Sequence, residues 1–182
     1  MRKLRVFESI SVDGYFTDAK GDMSWAHAAP NDVEFAEWVS GNASSGGDLL
    51  FGRKTYQMME AFWPTPMAAQ QMPAVAKGMN QARKYVVSTT IQPTWHNSHL
   101  LKGDLLNAAR ELKASSGPDI TILGSGSVAA QLGDGSLIDE YQFVIIPVAL
   151  GGGRTVFTRS RRLRLLNQRA FRSGNVVVTY AA

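Results

Sequence analysis

Ile122-Leu123-Gly124-Ser125-Gly126-Ser127 reads as a strand end, a glycine-hinged turn and a helix start, and its reading decides the fold class. Upstream, Gly117-Pro118 breaks the chain and Asp119 to Leu123 is a short β-prone run. Downstream, Ser127 to Leu132 takes up helical spacing. A strand that passes straight into a helix is the unit of a parallel α/β sheet, whose ligands bind outside the carboxyl ends of the strands. Three further stretches end a strand in the same way: Ser9-Ile10-Ser11-Val12-Asp13-Gly14, Gly52-Arg53-Lys54-Thr55-Tyr56 and Val86-Val87-Ser88-Thr89-Thr90. Four junctions of one kind predict one composite cofactor site.

The segments between these junctions fit the same scheme. Arg2 to Ile10 is a candidate first strand. Asn31 or Asp32 can cap a helix that carries Val33, Phe35, Ala36 and Val39 and is closed by Gly41. Asp48 to Phe51 is a short buried strand, and Thr55 to about Phe62 is a helix ended by Pro64 and Pro66. Met67 to Gln81 is rich in Met, Ala and Gln and reads as helical or partly mobile. Lys84 to Ser88 and His99 to Leu101 are strands, the second leading into a helix from Asp104 to Lys113 with Leu105, Leu106, Ala109 and Leu112 on one face. After a long strand from Glu140 to Val148 the pattern is β only: a Gly151-Gly152-Gly153 turn, extended Arg162 to Leu166 and Phe171, and a closing strand from Val176 to Tyr180. The simplest arrangement is a mainly parallel sheet finished by an antiparallel hairpin.

A chain of 182 residues suffices for one domain with a full core and is short for two, so residues 1–182 are expected to form a single domain. Hydrophobic content of 45% and charged content of 19% are those of an ordinary globular protein. No apolar run approaches the roughly 20 residues of a membrane span. Glu8 and Asp13 interrupt the basic-then-apolar start before a signal-peptide core can form. The absence of cysteine rules out disulfides, thiolate metal sites and a cysteine nucleophile, and the cytoplasm is the expected compartment. The net charge of +4 is mostly scattered; its one cluster, Arg159, Arg161, Arg162 and Arg164, has no interleaved aromatics and reads as a solvated loop rather than a nucleic-acid surface.

Each junction has a plain structural reading beside the functional one. In Gly52-Arg53-Lys54-Thr55 glycine allows close backbone approach, Thr55 can cap the following helix, and Arg53 and Lys54 add positive charge where an anion is favoured. A strand-to-helix turn needs glycine and threonine for packing alone. Ser88 and Thr89, with Thr90, offer hydroxyls and no carboxylate, which suits the 2′-phosphate of NADP better than the free ribose hydroxyl of NAD; a polar loop would look the same. Gly124, Ser125, Gly126 and Ser127 can cradle a pyrophosphate, although a glycine pair is common. Asp13-Gly14 is equally a tight turn.

In order and spacing these motifs resemble the dihydrofolate reductase-like family, in particular the branch containing the C-terminal reductase domain of the bifunctional riboflavin-biosynthesis deaminase-reductase. The likeness rests on the S-x-D-G segment, G-R-x-T-Y, the Y-V-V-S strand end, L-G-S-G-S, and Leu137-Ile138-Asp139-Glu140-Tyr141 running into Ile146-Pro147-Val148-Ala149-Leu150-Gly151-Gly152-Gly153. It implies a three-layer α/β/α fold and an NADPH-dependent reductase that passes a hydride to a small planar heterocycle or a related C=N or C=O acceptor. By similarity Ser9, Ile10 and Asp13 border nicotinamide or substrate, and Arg53, Lys54 and Thr55 hold phosphate beside Gly52. Ser88 and Thr89 face the 2′-phosphate, and Gly124, Ser125, Gly126, Ser127 and Val128 the pyrophosphate. The resemblance also implies a homodimer through the C-terminal strands. Reduction of a ribosylaminouracil phosphate, as in riboflavin synthesis, and a non-catalytic NADPH-binding module are the alternatives.

Two carboxyl groups are candidates for proton handling. Asp32, after Pro30-Asn31, resembles the carboxylate on the first helix that grips a pterin, and is equally a helix N-cap. Glu8 lies in an otherwise apolar strand, where an unpaired buried charge is costly; it can instead face solvent. Trp25, Phe62 and Trp63 can wall a planar substrate or pack in the core. His27, His96 and His99 share no metal-ligand spacing, and no metal is expected.

Overall fold

Short β-branched runs separated by capped helical segments build a sheet that carries helices on both faces. The computed structural model describes residues 1–27 and 32–182. In chain order the elements are β1 (Leu4–Ser11), β2 (Tyr15–Thr17), a 3-10 turn (Ser24–His27), α1 (Val33–Ser44), β3 (Asp48–Gly52), α2 (Arg53–Phe62), α3 (Pro66–Gln71) and α4 (Pro73–Gln81). There follow β4 (Lys84–Val87), β5 (Ser98–Leu101), α5 (Leu105–Ala114), β6 (Ile120–Leu123), α6 (Gly126–Asp134), β7 (Glu140–Ile146), β8 (Arg154–Thr155), β9 (Arg164–Ala170) and β10 (Val176–Ala181). Eight strands pair in the order β5-β4-β3-β6-β1-β7-β10-β9. Six run parallel, and β10 and β9 close the sheet antiparallel, the expected C-terminal hairpin. Among the described residues no helix is long and apolar enough to cross a membrane.

The two faces follow from the period-two alternation of the strands. Along β1, Leu4, Val6 and Glu8 are buried on one face while Arg5, Phe7 and Ser9 turn to the other. The first face meets α5 and α6 through Ala109, Leu112, Val128, Ala129 and Leu132, with Tyr141 and Phe143 of β7 in the same core. The second carries two smaller clusters: Phe51, Tyr56, Val75, Met79 and Val86 under α2 and α4, and Phe7, Phe35, Trp38 and Phe171 under α1.

Several local expectations shift. Gly41 does not close α1; the helix runs to Ser44, and the chain turns at Gly46 and Gly47, whose positive φ supplies the exit. Thr55 is not a cap. Gly52 takes that place without a side-chain bond, and Thr55 lies inside α2. The Met67 to Gln81 segment is two helices, α3 and α4, each opening on a proline, so Pro66 begins a helix rather than ending one. Asn31 and Pro30 lie outside the described residues. The small β2–β8 ribbon has no counterpart in the sequence pattern.

Candidate functional site

The four junctions emerge from β4, β3, β6 and β1, which are consecutive neighbours and end on one edge of the sheet. Strand order reverses here: the chain moves outward from β3 to β5, returns to β6, and leaves on the far side of β1 to β7. Such a switch point opens a crevice at the carboxyl ends of the strands. Two of the stretches touch directly. The backbone N–H of Gly52 donates to Ser125 Oγ at 2.8 Å, and a Cβ at Gly124 would meet the Thr55 methyl at 3.3 Å. A side chain at residue 126 would run into the Phe16 ring, so the turn closes onto the core only with glycine there.

α2 and α6, on opposite faces, bring their N termini to this contact. α1, α3 and α5 have side-chain caps from Asp32, Thr65 and Asp104. α2 and α6 have none: Gly52 has no side chain, and Ser125, held at φ 60°, uses its hydroxyl on Gly52. Their first N–H groups therefore face the crevice without a side-chain acceptor, an arrangement that suits an anion. Arg53 and Lys54 are exposed on the first turn of α2. Ser88 follows β4, half-buried, with its hydroxyl accepting from Thr90 N at 3.1 Å; Thr89 beside it is exposed. Lys102, unremarked in the sequence, is exposed and follows Leu101, the partner of Val87 at the end of β5.

The β1 end is shaped by a carboxylate clamp. Asp13 accepts from Ser11 Oγ at 2.6 Å, from Leu150 N at 3.1 Å and from Gly151 N at 2.7 Å, while Ser11 Oγ accepts from Tyr15 N at 2.9 Å. The Ser11 hydroxyl, with the Gly151 amide, pulls the Asp13 carboxyl down to about 2. Val12 N donates to Val148 O at 2.9 Å, completing the join between the S-x-D-G and glycine-rich segments. Asp13 thus holds the loop, while Ser9 faces α1 and Ile10 packs against the α5–α6 core.

The two candidate acids sit on opposite faces of the sheet and do not form a pair. Glu8 is only 3% exposed, and burial pushes it up to about 8. Asp32 caps α1, its Oδ1 accepting from Phe35 N at 3.0 Å and its Oδ2 from Ser173 N at 2.8 Å. The Ser173 hydroxyl, then these backbone amides, hold its carboxyl below the ordinary range, so it is ionised at neutral pH. Trp25 packs in one cluster with Phe7, Phe35, Trp38 and Phe171, and Asp32 caps the helix that carries Phe35 and Trp38. Within the cluster Trp38 stacks on Phe7 at 6.2 Å and on Phe35 at 6.0 Å, and no residue of α1 is fully buried, so these rings stay partly open. Phe62 and Trp63 are elsewhere. They close the far end of α2, where Trp63 O accepts from Asn80 Nδ2 at 2.9 Å, about 15 Å along the helix from Gly52.

Comparison with known proteins places this geometry. A Bacillus subtilis (strain 168) protein, YyaP, is 25% identical over 182 residues, 98% of this chain and 94% of the relative. A protein of Shewanella sp. PV-4, named for riboflavin biosynthesis, superimposes with a TM-score of 0.73 at 24% identity, covering 98% of both chains. A pyrimidine reductase-like protein of Corynebacterium diphtheriae superimposes with a TM-score of 0.62 at 14% identity, covering 99% of this chain and 91% of the other. At these identities the two solved structures speak for the fold. Residues 2–178 match the RibD C-terminal domain, and with the crevice and sheet just described the chain belongs to that reductase-type family.

Proposed function

We propose that the chain is an NADPH-dependent oxidoreductase that reduces a small planar heterocycle, or a related C=N or C=O acceptor, at the carboxyl ends of β4, β3, β6 and β1. The observation that carries this reading is the meeting of two helix N termini without side-chain caps at the Gly52–Ser125 contact, beside Arg53 and Lys54. Their free N–H groups, Ser125 to Ser127 among them, suit a pyrophosphate. Ser88 and Thr89, with Arg53 and Lys102 following the ends of the two strands that pair with β4, suit the 2′-phosphate that distinguishes NADPH from NADH. When bound, NADPH supplies the hydride. The Asp13 clamp fixes the strand end at which Ser9 and Ile10 border the reacting rings. Asp32, ionised, accepts hydrogen bonds from N–H groups of the heterocycle and orients it against Trp25, Phe35 and Trp38. An ionised carboxylate has no proton to give, so the proton that completes the reduction comes from water.

A second reading within the same chemistry, reduction of a 5-amino-6-ribosylaminouracil-type phosphate, is favoured by the family match over residues 2–178. We also propose that two copies pair along β9, an edge strand exposed at every residue, with Leu165 and Leu166 at 52% and 43% exposure.

Acceptor-dependent loss of NADPH absorbance across a panel of pterins, pyrimidines and quinones tests the enzyme. Turnover is expected with at least one planar acceptor, and Asp32→Asn is expected to lower it about tenfold while NADPH binding persists. Binding without oxidation of any acceptor would leave a non-catalytic module, and unchanged turnover in Asp32→Asn would leave Asp32 a cap only.

A further inference from the structure

We propose that Glu8 is a positioning residue whose protonation state governs anion binding at the turn between β6 and α6: neutral Glu8 admits the dinucleotide phosphate there, and ionised Glu8 opposes it. The inference rests on the NADPH reading above and deepens it. Glu8 pairs with Phe143 on β7, and on the other side it follows Phe7, the partner of Leu123 at the end of β6 where the turn begins. Gly124 N donates to Phe7 O at 3.0 Å, fixing the turn against this part of β1. The Glu8 side chain shares its face with Leu4 and Val6, the face on which Phe16, Val128 and Ala129 pack below the turn.

The other buried carboxylates have cations: Asp48 has Arg2, and Glu140 has Lys3 and Arg5. Glu8 has none: its Oε2 has no hydrogen-bond partner, and the Ser9 backbone amide is the one group that favours its ionised form. Such a group stays neutral in an apolar setting, which burial makes explicit by moving its ionisation up to about 8. Few other charges face it. β6 and α6 present Ile122, Val128 and Ala129 to this face, none ionisable. β7 presents Tyr141, whose hydroxyl is pushed up by burial, and β2 presents Phe16. From β8, the Arg154 guanidinium lies 5.5 Å from the centre of the Phe16 ring. A charge formed on Glu8 is therefore screened by little, and it repels a phosphate bound at the turn.

Fluorescence titrations of NADPH from about pH 6 to about pH 9.5, on wild type and Glu8→Gln, test this. Wild-type affinity is expected to hold at the acidic end and weaken about tenfold or more toward the alkaline end, while Glu8→Gln stays flat. A purely structural role would change thermal stability without changing the pH slope of the dissociation constant. The wild type gives a second readout that needs no variant. Saturating NADPH should move the NMR titration of the Glu8 carboxyl carbon to higher pH, because the coupling is reciprocal. Parallel pH curves in the two proteins, with the Glu8 titration unmoved by NADPH, overturn this inference and leave the cofactor reading standing. No binding by either protein at any pH overturns the cofactor reading, and this inference with it.

Discussion

Glu8, Asp13 and Asp32 are three carboxyl groups driven in different directions by their surroundings. Burial without a cation raises Glu8 to about 8 from its ordinary 4.5, so between these values the folded protein holds a proton that the unfolded chain has lost. Its contribution to stability is therefore greatest below about pH 4.5 and is lost as pH rises toward 8. Glu8→Gln, the isostere of the neutral acid, should abolish this slope and exceed wild type above pH 8 by on the order of 5 kcal/mol, read by denaturant unfolding at several pH values. Parallel stability curves would show that Glu8 is solvated. Hydrogen bonds drive Asp13 and Asp32 the other way, and both stay ionised at neutral pH. Glu8 was legible in the sequence as a charge inside an apolar strand. The work of Asp13 was not: its amide partners at Leu150 and Gly151 are 137 and 138 residues away, and no local pattern announces them.

At the scale of elements, the strand-to-helix junctions were readable because glycine and small hydroxyl residues interrupt apolar runs just where the chain turns. What those residues do at the turn was less readable. Ser125 reads as one more small residue of a phosphate turn, yet its hydroxyl ties β3 to β6 by accepting from Gly52 N. Ser125→Ala leaves that N–H without its acceptor, which should cost about 1–2 kcal/mol in denaturant unfolding and weaken NADPH binding in parallel. An unchanged midpoint would mean that water or a neighbouring group replaces the hydroxyl. Thr55 was expected as a cap and instead packs its methyl against Gly124, a choice made by a strand that is distant in sequence. β2 and β8, three and two residues long, are too short to show the alternation that identifies a strand. α1 outlasts Gly41 because the left-handed turn lies beyond it, at Gly46 and Gly47.

For the whole molecule, the class of sheet follows from alternating strands and helices, but the strand order does not. β1 lies between β6 and β7, which come more than a hundred residues later, and only this long-range pairing turns four separate motifs into one crevice. The same order leaves β9 as an uncovered edge. Light scattering should find a dimer in wild type and a monomer in Leu165→Asp combined with Leu166→Asp, and a monomeric wild type would remove the pairing. The crevice itself is tested most directly by titrating NADPH and NADH in parallel against wild type and Arg53→Ala. NADPH should bind at least about tenfold tighter than NADH, and Arg53→Ala should remove most of that preference. Equal affinities for the two cofactors, or binding of neither, would contradict the account.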